Sequence, residues 1–127
     1  MIDEARTVAT PDGDMGVVVV RPDGDGPFPV VVLFHHGPGL DDGIRQALLV
    51  FARAGYLVAA PDRYHRHGSF LTVDVARLIA GDLDAEASRR FREMAGGVTD
   101  AMVESDLVAL LDHLAADPAA RGAPMAC

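Results

Sequence analysis

Val30-Val31-Val32-Leu33-Phe34-His35-His36-Gly37-Pro38-Gly39 decides the fold of this 127-residue chain, because a wholly apolar segment empties into a polar turn that carries two glycines. Five apolar residues, three of them β-branched, predict a strand over 30–34 covered on both faces. That is the mark of a parallel sheet held between helices. Sheets of this kind bind ligands beyond the carboxyl ends of their strands. The turn from His35 to Gly39 falls at such an end, where backbone N–H groups leading into a helix can stabilise negative charge on a substrate oxygen.

Upstream, Ala5 to Thr10 and Met15 to Arg21 read as two short strands around the turn Pro11-Asp12-Gly13-Asp14, an antiparallel hairpin. Downstream, Asp41 and Asp42 can cap a helix in which Ile44, Leu48, Phe51 and Ala52 recur at helical spacing and which Gly55 ends. Tyr56 to Ala60 is a second buried strand, stopped by Pro61, and this strand, helix, strand succession predicts a parallel crossover. Residues 62–97 form an arginine-rich, largely helical excursion over the carboxyl edge of the sheet, broken by Gly68, Gly81 and Gly96-Gly97. Thr99 or Asp100 starts a last helix with an apolar face of Val103, Leu107, Leu110, Leu111 and Leu114, and Asp117-Pro118 ends it. Pro124 to Cys127 begins a further strand. The fold class is α/β: one domain over 1–127, with a mixed, mostly parallel sheet opened by an antiparallel hairpin.

Composition narrows the partners. Half the residues are hydrophobic and 24% are charged, as in a folded globular protein, and no apolar run approaches the roughly 20 residues that span a bilayer. The start Met1-Ile2-Asp3-Glu4 has no apolar core of a signal peptide, so a cytoplasmic location is expected, without a membrane partner. The single cysteine, Cys127, permits no internal disulfide. A net charge of −8, with arginine supplying all eleven basic residues, disfavours nucleic acid. His35 and His36 point to opposite sides of an extended backbone and cannot readily share a metal ion. His65 and His67 could share one, but no metal or other cofactor is expected. Nor does Gly37-Pro38-Gly39 make a dinucleotide fingerprint, since Asp42 stands where a third small residue is required.

The order of hairpin, strand with His-His-Gly-Pro-Gly, helix, Gly-Tyr-Leu-Val-Ala-Ala-Pro-Asp-Arg-Tyr, excursion and helix ending in Ala-Ala-Asp-Pro resembles the amino-terminal half of the dienelactone hydrolase family. The likeness covers nearly the whole chain and is most specific over Pro29 to Gly39 and Gly55 to Tyr64. It implies an α/β-hydrolase fold. It also implies hydrolysis of a small-molecule ester, lactone or related carboxylic derivative, by a Cys or Ser at a Gly-x-Cys/Ser-x-Gly elbow with a later Asp and His. The chain contains no such elbow, and Met125 occupies the place of its first glycine if Cys127 is set as nucleophile. The fold is therefore expected to stop short of the elbow, and these 127 residues alone to be inactive.

By the resemblance, the backbone N–H of Gly37 donates to the oxyanion. The competing reading of this segment is a tight turn out of a strand. His36 stands where better-known family members carry Glu, and it can hydrogen-bond a nucleophile or a substrate carboxylate. His35 is expected instead to tie the turn to a neighbouring carbonyl, and Asp62 to accept backbone bonds in the next turn. Pro38, Arg63, Tyr64 and Arg66 are the candidate substrate-binding residues, the two arginines because a guanidinium can grip a carboxylate with two donors. Solvated loop arginines are the plainer alternative, as helix-surface charge is for Arg89, Arg90 and Arg92. Two non-catalytic readings stay open: a fragment that associates through an unfinished sheet edge, and a small carboxylate-binding module.

Overall fold

A computed structural model describes residues 1–36, 39–67, 81 and 85–126. Strand β1 (Ile2–Thr10) and strand β2 (Gly13–Arg21) form the expected hairpin, paired from Ile2 opposite Arg21 to Thr10 opposite Gly13. Both strands are longer than their apolar patterning suggests, because an antiparallel ladder satisfies backbone groups whatever the side chains are. Gly13 turns the chain at φ +118°, a backbone region closed to most side chains.

Strand β3 (Phe28–Val32) starts two residues before the expected 30–34 and gives up Leu33 and Phe34. Its start is drawn forward by pairing, since Phe28 N–H donates to Ala119 O at 2.7 Å. Helix α1 (Asp42–Arg53) begins where Asp41 accepts a hydrogen bond from Ile44 N–H, and Gly55 follows its end at φ +101°. Strand β4 (Leu57–Pro61) returns parallel to β3 and ends at Pro61, its last residue. A short 3-10 turn covers His65–His67. Helix α2 (Ala85–Gly96) and helix α3 (Asp100–Ala115) come next, α3 capped by Thr99. Strand β5 (Ala120–Ala126) starts four residues earlier than the expected Pro124. It runs parallel to β3 with an irregularity opposite Pro29 to Val31, and Pro124 falls in that irregularity, where a missing N–H costs least. Of the expected excursion, residues 68–80 and 82–84 lie outside the described residues.

The strand order β1-β2-β4-β3-β5 puts β3 and β4 inside the sheet. Alternation does the rest. Val30, Val32, Leu57 and Ala59 face Leu110 and Leu114 of α3, while Val31, Val58 and Ala60 face Ile44, Leu48 and Ala52 of α1. Leu33, Phe34, Asp62 and Tyr64 thereby come off neighbouring parallel strands at one edge. On α3 the buried stripe is Asp106, Leu110 and Leu114, with Leu107 and Leu111 half-buried beside it, so an acid occupies a position that the apolar pattern left out.

Candidate active site

The carboxyl ends of β3 and β4 are laced together by one side chain. His35 is 1% exposed. Its Nε2 accepts the Arg63 N–H at 2.9 Å, which places its own proton on Nδ1, 2.7 Å from His36 O. Arg63 answers by donating from Nη1 to His35 O at 3.1 Å. Burial, the largest influence, pushes the His35 pKa below its ordinary value, and the Arg63 and His36 charges act in the same direction. The hydrogen bond to His36 O and the Asp62 carboxylate oppose this and do not prevail. The expected tie between His35 and a neighbouring carbonyl is present, and the bond to Arg63 N–H extends it to the second turn.

His36 O also accepts Gly39 N–H at 3.0 Å, so both ends of the His36 to Gly39 turn are pinned. The His36 side chain is 58% exposed, with Nε2 3.8 Å from Asp41 Oδ2 at the start of α1. Gly37 and Pro38, the expected oxyanion donor and its neighbour, lie outside the described residues.

Across from this turn, Asp62 Oδ1 accepts Tyr64 N–H at 2.9 Å, the backbone-bonding role expected of it. The same oxygen lies 3.9 Å from His35 Nε2. Tyr64 is buried with its ring 4.9 Å from that of His35, and burial, ahead of the nearby charges, raises its pKa. Arg63 Nε is buried without a hydrogen-bond partner among the described residues.

Arg66 is placed differently from the expectation for it. Its Nη1 and Nη2 grip Asp106 at 3.0 and 2.9 Å, and its Nε donates to Asp12 at 2.7 Å. The carboxylates it holds are the protein's own. His65 Nε2 lies 3.0 Å from the same Asp106. This cluster binds α3, the segment after β4 and the tip of the β1–β2 hairpin. Asp106 was not among the sequence candidates, although an acid on the i, i+4, i+8 stripe with Leu110 and Leu114 is the signal that points to a buried partner. Among the described residues no three His, Cys, Asp or Glu side chains gather as a metal site, and no helix is long and apolar enough to cross a membrane.

Solved structures have a similar fold. A protein from Klebsiella pneumoniae subsp. pneumoniae MGH 78578, taken to be a dienelactone hydrolase, is 26% identical at a TM-score of 0.68 over 88% of this chain and 42% of its own. A dienelactone hydrolase-like promiscuous phosphotriesterase from metagenomic libraries is 25% identical at 0.56, over 99% of this chain and 48% of its own. An epoxide hydrolase from Vigna radiata is 25% identical at 0.51, over 89% and 29%. The chain thus spans less than half the length of each of these proteins. No curated protein sequence matches it. The family model for dienelactone hydrolases matches residues 15–125, most of the chain, and the chain belongs to the dienelactone hydrolase family.

Proposed function

We propose that this chain supplies the oxyanion turn and part of the substrate wall of a hydrolase acting on an ester, lactone or related carboxylic derivative by nucleophilic acyl transfer. The observation that carries the reading is His35, which joins the turns at the carboxyl ends of two adjacent parallel strands in a chain of this family. Attack on such a substrate gives a tetrahedral oxyanion, and donors held in advance at that position lower the barrier. Gly37 N–H is the donor. Pro38, Arg63 and Tyr64 are assigned to the wall, where the Arg63 guanidinium suits a carboxylate on the substrate. His36, whose exposed imidazole lies 3.8 Å from Asp41 Oδ2, is assigned to a polar group of the substrate.

The attacking Cys or Ser, its base and the orienting acid are assigned to residues outside this chain, because the 127 residues hold no Gly-x-Ser-x-Gly or Gly-x-Cys-x-Gly. The test is hydrolysis of carboxylic esters and lactones by the protein that contains this chain, with and without Gly37→Pro, which removes the donor N–H. Loss of one such donor lowers kcat by about 10²–10³. Turnover of phosphotriesters or epoxides with no carboxylic ester hydrolysed overturns the reading. A second reading, association through β5, is favoured by its place at the end of the strand order. A monomer by light scattering at high concentration rules it out.

A further inference from the structure

We propose that His35 is a pH-sensitive positioning residue: as a neutral imidazole it locks the turn after β3 to the turn after β4, and its protonation opens that lock. An imidazole nitrogen that accepts a hydrogen bond carries no proton, whereas both nitrogens of the imidazolium are donors. Protonation of Nε2 would therefore set an N–H against the Arg63 N–H, now 2.9 Å from that nitrogen. Two donors cannot share that place. The Nδ1 bond to His36 O survives in either state, so the break falls on the β4 side.

The surroundings provide an alternative for the new proton. Asp62 Oδ1 is 3.9 Å from Nε2 and is an acceptor that neutral His35 does not use. It already takes Tyr64 N–H, so recruiting it loads one oxygen with the amide of the next residue but one and with the imidazolium. The other groups around the ring resist the cation. The Arg63 guanidinium sits on His35 O, the adjacent His36 can itself be charged, and the Tyr64 ring shields the site from water without supplying a charge. Burial weighs most, and the balance favours the neutral form. The lock is thus closed at neutral pH and opens on acidification, when Arg63 loses its backbone anchor and its guanidinium loses its fixed relation to the turn after β3.

The catalytic consequence rests on the reading of that turn as an oxyanion donor, but the lock itself can be tested without substrate. In the 127-residue chain labelled with 15N, long-range histidine spectra followed against pH are expected to show protonated Nδ1 and bare Nε2 at neutral pH, with a midpoint below 6.5. The exchange protection of the Arg63 amide is expected to fall by about tenfold per pH unit between the ordinary 6.5 and that midpoint, while that of Val58 in the centre of the sheet holds. An Nε2–H tautomer at neutral pH, or a midpoint at or above the ordinary 6.5, overturns the proposal. So does constant Arg63 protection from 6.5 down to the midpoint, or loss of Val58 protection in step with it. A protein that hydrolyses no ester yet shows this titration would sink the proposed function and leave the lock standing.

Discussion

Replacing Asp106 by Asn tests a buried charged cluster that ties α3 to the segment after β4. The carboxylate is 2% exposed and receives Arg66 through two donors and His65 through one, with the Arg66 and His65 side chains 9% and 3% exposed. Asn keeps the shape but removes the charge, and it turns an NH2 group toward donors that then have no acceptor. Breaking a buried pair from one side costs about 3–5 kcal/mol, because the surviving Arg66 stays largely desolvated and keeps only the half-exposed Asp12 as a counter-charge. With a urea slope of about 2 kcal/mol/M, the unfolding midpoint is expected to drop by about 2 M. Unfolding in urea followed by circular dichroism measures this against Arg89→Ala, which removes an exposed pair with Glu93 worth about 0.3–0.5 kcal/mol. The double replacement Asp106→Leu with Arg66→Met should recover much of the loss, since removing both partners leaves less charge stranded. A midpoint for Asp106→Asn within error of the Arg89→Ala value would refute the reasoning and make the cluster a surface contact in energetic terms.

Three further outcomes follow from other parts of the fold. Leu48→Ala, at a fully buried position between α1 and the sheet, should cost about 2–5 kcal/mol in the same urea assay, whereas Val50→Ala on the exposed side of that helix should change stability by less than about 0.5 kcal/mol. Asp41→Ala removes the cap on Ile44 N–H and should cost about 0.5–2 kcal/mol, and a neutral result would show that another group caps α1. Stability should also fall in acid. The His35 pKa is lowered mainly by burial, so its full contribution is present above about 6.5 and is lost as pH falls through the folded value. Burial disfavours the Asp117 anion, but the Ala119 N–H and Arg6 outweigh it and lower the pKa, so its contribution lies above the ordinary 3.8 and goes at still lower pH. Urea midpoints measured from pH 8 to 4 should decline from about 6.5 downward, and a flat profile contradicts the His35 assignment.

Much of the architecture was legible in the chain because it depends on periodicity and local chemistry. Burial on both faces along Val30 to Val32, the cap at Asp41, the stop at Gly55 and the cap at Thr99 are each properties of a few neighbouring residues, and each appears where the residues imply it. The edges of strands were less legible. β3 begins at Phe28 and β5 at Ala120 because each finds the other's backbone, and no local pattern in Ala-Arg-Gly-Ala-Pro-Met-Ala announces a partner.

The site divides along the same line. Residue order alone put His35, Asp62, Arg63 and Tyr64 at one edge of the sheet, since parallel strands joined by a helix end on the same side. Only the tertiary structure decided what they do there: His35 accepts from a backbone amide twenty-eight positions away, and Arg66 and Asp106, forty positions apart, neutralise each other. An arginine in a loop sequence looks alike whether it meets a substrate or a buried aspartate. What distinguishes the two is desolvation, which depends on every element packed around the group and is written in no single stretch of the chain.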